Sequence, residues 1–229
     1  MMFRELMEAF RRRPLLDQMY QEMEQMLAEA VNMYRPIAGL LTGAEKPSEE
    51  THRMIYATDR KINHIQRNIR KQLLEHLTMS PGSDVPISLV LMSISKDAER
   101  IGDMCKNILE VAEALGGPLD DGKYGRRFRA LLAETESLFG PTVQAFCESD
   151  RDVGHDAVER GRKLAKECDA IIDELIEDDL PCRLAVLYAL LARHMKRVCS
   201  HLSNIATSVV MPVHRLDYFD EKWDRPRDP

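Results

Sequence analysis

One stretch constrains the chain more than any other: ISLVLMSISKDAERIGDMCKNILEVAEAL, from Ile87 to Leu115. Its apolar positions are Ile87, Leu91, Ile94, Ala98, Ile101, Cys105, Ile108, Ala112 and Leu115, in alternating steps of four and three. That spacing is a heptad seam, so the stretch is one long helix packed lengthwise against others. At roughly 1.5 Å per residue it reaches about 43 Å. Asp84 offers an N-cap and Pro86 suits the first turn, where its missing N–H costs little. Gly116-Gly117-Pro118 stops the helix.

Glu99 and Asp103 sit four residues apart in this helix and are neighbours on one face. Their face lies roughly 130° round from the seam, and Lys96, Asn107 and Glu110 share it. These carboxylates therefore look at solvent, at a partner or at a metal. Acidic residues hold 38 of the 229 positions, so such pairs arise by chance, and a solvated helix face is the ordinary reading.

The rest of the chain reads as helix too. Aromatics are only 6% of the residues and charged residues 31%, which favours helix over strand. Thirteen methionines suit adaptable helix–helix packing. The net charge of −6 argues against nucleic acid as a partner. Five scattered cysteines without a CxxC point to a reducing compartment with no disulfide framework. Without an apolar leader or a long apolar run, the expected location is the cytoplasm.

Residues 1–13 form a charged lead-in. A helix follows from Pro14, with Leu16, Met19, Met23, Met26 or Leu27, Ala30, Met33 and Ile37 inward. Pro36 is expected to kink it or end it near Tyr34, and Gly39 to Lys46 reads as a turn. The next helix starts at Pro47-Ser48-Glu49-Glu50 and runs to about Met79, burying Ile55, Ile62, Ile65, Ile69, Leu73 and Leu77. Asp59 and Asn63 stand four apart on its polar flank. The turn Ser80 to Asp84 leads back into the organising helix. After Gly116–Gly125, three further helices are expected, over about Arg126–Glu148, Asp152–Glu177 and Cys182–Met211. The expected domains are 14–115, 123–211 and a polar tail, 212–229, with Tyr218, Phe219 and Trp223.

The last helix repeats the seam as Leu184, Tyr188, Leu191, Met195, Val198, Leu202, Ile205 and Val209, offset by 97 residues. Arg100 matches Arg197, Asn107 matches Asn204 and Ile108 matches Ile205. At the polar positions Glu99 becomes Lys196, Asp103 becomes Ser200 and Asp97 becomes His194. With three helices, a glycine-rich linker and three helices, the pattern suggests an internal repeat.

The segment KDAERIGDMCKNILE resembles the signature of the PhoU family in Asp97, Glu99, Arg100, Ile101, Gly102, Asp103, Asn107 and Ile108. KRVCSHLSNIA resembles a decayed second copy, keeping Arg197, His201, Asn204 and Ile205. The resemblance covers about residues 14 to 211. It implies an all-α fold of six long helices, as two repeated antiparallel three-helix bundles, PhoU-like and spectrin-like. It also implies metal on a concave helical surface, held by Glu/Asp-x-x-x-Asp motifs. Carried over, that nominates Glu99 and Asp103 on the third helix and Asp59 and Asn63 on the second, Asn63 standing where an Asp is common. Oxygen ligands suit Mg, Mn or Ca, and iron is a further option. In the second half Lys196 repels a cation, and Asp156, Glu159, Asp169 and Asp173 are not expected at a fitting height.

The same resemblance implies a regulator of phosphate uptake and phosphate-starvation signalling. Its implied partners are a phosphate ABC transporter and a sensor histidine kinase, and its implied state is a homodimer. No nucleic acid is expected, and membrane association only through partners. The residues themselves favour an interaction protein over an enzyme. The seven histidines are scattered, and no GxxxxGK[ST] phosphate loop occurs. Arg193, Lys196 and Arg197 read first as a solvated basic face, with a direct phosphate site as the sharper alternative. The rival functions are a metal-binding adaptor for another transporter and a carboxylate-bridged helical metalloenzyme. The latter ordinarily needs Glu-x-x-His pairs facing the bundle core.

Overall fold

Heptad seams need partners, and the computed structural model supplies them. It describes residues 14–79, 82 and 84–217, with side chains from residue 17 onward. Among the described residues six long helices follow in order: α1 (Pro14–Thr42), α2 (Glu49–Met79), α3 (Val85–Leu115), α4 (Lys123–Glu148), α5 (Arg151–Ile176) and α6 (Cys182–Val210). They form two three-helix bundles side by side, α1–α3 and α4–α6. A short 3-10 turn, Val213–Arg215, follows and touches α3.

The α3 seam is buried from Ile87 to Ala112, and Leu115 is half-buried. The α6 seam is buried from Tyr188 to Val209, with Leu184 half-buried at its start. The methionine stripe of α1 is fully enclosed at Met19, Met23, Met26 and Met33. Leu16, the lead-in 1–13, the aromatics Tyr218, Phe219 and Trp223, and Ser80, Pro81 and Ser83 of the expected turn lie outside the described side chains.

Three local expectations are corrected. Pro36 does not end α1, which continues to Thr42. A proline inside a helix costs about 3 kcal/mol, but each large apolar side chain buried returns about 1.5–3 kcal/mol. Tyr34, Ile37, Leu40 and Leu41 are all buried around it, so packing outweighs the missing hydrogen bond. Asp84 does not cap α3 with its side chain. Its Oδ2 pairs instead with His76 Nε2 at 2.8 Å, which ties the end of α2 to the start of α3. The fourth helix begins at Lys123, three residues before the expected Arg126. Gly116 does end α3, with φ 75° and its N–H donated to Ala112 and Glu113.

The two bundles are joined mainly through α3 and α6. These helices run antiparallel: Asp97 meets His201, while Arg183 near the start of α6 donates to the Ala114 carbonyl near the end of α3. A second seam joins α1 to α4. Tyr20 stacks on Phe146 with ring centroids 4.4 Å apart, and its hydroxyl donates to the Phe146 carbonyl. Tyr34 donates to the Leu132 carbonyl at 3.1 Å.

Within the second bundle α5 lies close against α6, and glycine permits it. A Cβ at Gly161 would stand 2.0 Å from Ser203 Oγ, 3.2 Å from the Cys199 carbonyl oxygen and 3.3 Å from Leu138 Cδ2. Turning the serine relieves only the first contact. Gly161→Ala is therefore expected to cost about 1–3 kcal/mol of stability despite alanine's better helix propensity. Urea unfolding measures it, and an unchanged or raised midpoint would show that the helices separate freely.

Candidate functional site

The polar flanks of α2 and α3 face each other beside the apolar seam. Their shared hydrophobic contact sets the helices at a common height, which brings Asp59 opposite Asp103. Between them lies a side chain the carboxylate pattern had not singled out. Lys106 Nζ donates to Asp59 Oδ2 at 2.9 Å and stands 3.0 Å from Asp103 Oδ1. Arg100 donates to the other Asp103 oxygen at 3.0 Å. The carboxylate of Glu99 lies 3.7 Å from Arg100 Nε.

The four residues nominated from the sequence thus lie together, but both oxygens of Asp103 and one of Asp59 are already engaged. Asn63 turns its amide nitrogen, not its carbonyl, toward Asp59 Oδ2, at 3.2 Å. Among the described residues no group of three or more His, Cys, Asp or Glu side chains is arranged to hold a metal ion. One observation points the other way: Asp59 Oδ1 is buried without a hydrogen-bond partner. As arranged, the donor set fits an ammonium better than a divalent ion. A metal would have to displace Lys106 from between the two aspartates.

The electrostatics agree with this placement. Burial pulls the Lys106 pKa down, but hydrogen bonds to Asp59 and Asp103 outweigh it and leave the amine above its ordinary value, firmly charged. Glu99 is raised, first by burial and then by the Asp103 carboxylate, with Arg100 and Arg70 opposing. Burial likewise pushes the Cys105 thiol up, and Asp59 adds to the shift. A buried thiol of that kind is a core residue, not a nucleophile.

Beyond this face a cleft of about 360 Å³ opens between α2, α3 and α6. Tyr56, Arg100, Asp103, Asn107, Glu110 and Arg197 line it. Lys196, read from the sequence as part of a basic face, is held by both oxygens of Asp169 at 2.8 and 2.6 Å. Asp169 therefore does reach the height of α6's polar face, contrary to expectation, but what it meets there is a lysine.

A second polar cluster lies where the bundles join, and sequence reasoning missed its role. Asp97 is buried and accepts from His201 Nδ1 at 2.7 Å and Asn204 Nδ2 at 3.0 Å. Its partners are 104 and 107 residues away, so no local spacing reveals the contact. The one hint in the sequence is that Asp97 stands in the signature-like segment and His201 and Asn204 in the later segment that resembles it.

This architecture defines the class: an all-α protein of two three-helix bundles with a compensated carboxylate face on the first. Residues 16–112, which span the first bundle, match the family model described as the PhoU domain. It is similar to the phosphate-specific transport system accessory protein PhoU homolog 1 of Thermotoga maritima, 22% identical over 174 residues that cover 72% of this chain and 74% of that protein. It is also similar to the corresponding PhoU homolog of Synechocystis sp., 28% identical over 178 residues covering 70% and 73%. Among solved structures, PhoU from Pseudomonas aeruginosa superposes with a TM-score of 0.67 at 20% identity, covering 93% of this chain and 99% of that one. The phosphate transport system regulatory protein PhoU from Streptococcus pneumoniae gives 0.62 at 17% identity, covering 90% and 92%. These two establish the likeness of fold.

Three substitutions probe the clusters. Asp97→Ala leaves the part-buried donors of His201 and Asn204 without their partner and is expected to cost about 1–3 kcal/mol, with Asp97→Asn losing less; equal stability of Asp97→Ala and wild type in denaturant would contradict the joint. Glu99 has a folded pKa above its unfolded one, so its contribution is most favourable at low pH and declines as pH rises through the folded value. Glu99→Gln is therefore expected to raise the melting temperature at pH 7, with the gain shrinking toward pH 4. A loss of stability at pH 7 would reverse the sign.

Proposed function

We propose that this chain regulates phosphate uptake and phosphate-starvation signalling. It acts by contact with a phosphate ABC transporter and a sensor histidine kinase, as a homodimer and without chemistry of its own, and reaches the membrane through those partners. The observation that carries this reading is the PhoU-domain match over residues 16–112. The names of the Thermotoga and Synechocystis relatives, accessory proteins of phosphate-specific transport, support it over most of both chains.

The molecule's surface is compatible with such a role. No helix among the described residues is long and apolar enough to cross a membrane. Large apolar side chains stand exposed at the α2–α3 end, Leu74, Met79 and Leu89, and at the α5–α6 end, Ile176, Val186 and Leu190. Exposed apolar residues grouped at helix ends are the kind of surface that contacts other proteins.

Deleting the gene in its host tests the reading. Phosphate-starvation genes are expected to stay on at high phosphate, and the intact chain, supplied on a plasmid, is expected to shut them off again. Normal phosphate control in the deletion strain, with a different transporter deregulated, would instead favour an adaptor for that other client.

A further inference from the structure

The carboxylate face of the first bundle contains a cation supplied by the chain itself. Asp59 on α2 and Asp103 on α3 confront each other across the helix pair, and Lys106 lies within 3.0 Å of both. These are distances of charge-assisted hydrogen bonds. Two facing carboxylates repel unless something positive stands between them. Lys106 is mostly buried, and α3 delivers it from the turn after Asp103, so its stem needs no long reach.

The second bundle repeats the device with different residues. Lys196 of α6 bridges to Asp169 of α5 at 2.6 Å. In both bundles a lysine on the third helix neutralises an aspartate on the middle helix. A bound metal at either place would sit against an ammonium group already hydrogen-bonded to the oxygens it needs.

We infer that Lys106 is the resident cation of this face, and that a divalent ion of the oxygen-seeking class gains a tight site only when that ammonium is removed. The latent site is built from Asp59 and Asp103, with water completing the coordination. Asp59 is its anchor: the residue is buried, one oxygen is held by Lys106, and the other, Oδ1, has no partner. Gly102 lies beneath that free oxygen, where even a methyl group would stand 3.6 Å away. The inference concerns only these residues and holds whatever the chain regulates.

Manganese titration of the full chain tests it, followed by electron paramagnetic resonance and by thermal melts. Protein is purified without affinity tag or chelator as wild type, Lys106→Gln, Asp59→Asn and the double variant. Lys106→Gln is expected to bind one Mn2+ at least about tenfold more tightly than wild type. Its melting temperature should rise with added Mn2+ while that of wild type stays put. The double variant should lose both effects. The inference is overturned if wild type takes up a stoichiometric Mn2+ that Asp59→Asn abolishes. It is overturned equally if folded Lys106→Gln binds Mn2+ no better than wild type. Should Lys106→Gln fail to fold, the comparison of wild type with Asp59→Asn decides: a shared lack of a tight site supports the inference, and a site lost in Asp59→Asn refutes it.

Discussion

A helix enclosed on three sides has to settle the charges it buries. That is the situation of α3, which packs against α1, α2 and α6. Its seam is apolar and needs only matching surfaces. Its polar positions need partners at fixed distances, because a buried charge without one costs several kcal/mol, on the order of what holds a whole domain folded. Asp97 is settled by His201 and Asn204 from α6. Asp103 is settled by Arg100 and Lys106 from its own helix, and Lys106 extends the arrangement to Asp59 on α2. The polar groups thereby fix which helices may stand beside α3 and in what register, which a methionine-rich apolar core alone leaves loosely specified.

The same logic separates the two polar clusters by role. The Asp97 cluster lies between the bundles and joins them. The Lys106 cluster lies within the first bundle, at the edge of the cleft that reaches α6. Glu99 belongs to the second cluster but is held above its ordinary pKa by burial and by Asp103.

Much of this was legible in the sequence. The four-three spacing of Ile87 to Ala112 located the central helix, and the offset seam of Tyr188 to Val209 located its counterpart. The i,i+4 spacing paired Asp59 with Asn63 on α2 and Glu99 with Asp103 on α3, and Lys106 links the two pairs. The occupant of that face was missed because the carboxylates were weighed for metal, whereas Lys106, three residues past Asp103, is an equally regular helical neighbour. The alternative of an end near Tyr34 failed because local helix breaking was not set against the burial of Ile37, Leu40 and Leu41 beyond it. The contact of Asp97 with His201 had no local signature, since it depends on how two distant helices cross. Asp169 was discounted on height for the same reason: residue counting from turns does not capture the register in which α5 and α6 pack, which brings Asp169 to Lys196.

The central claim is that an ammonium, and not a metal, holds Asp59 and Asp103 together in the native chain. A crystal structure of the wild-type protein grown in manganese, with anomalous data, tests it most directly. The account predicts Lys106 Nζ within hydrogen-bond distance of both carboxylates and no anomalous peak between them. A peak at that place, with Lys106 swung out to solvent, would contradict it.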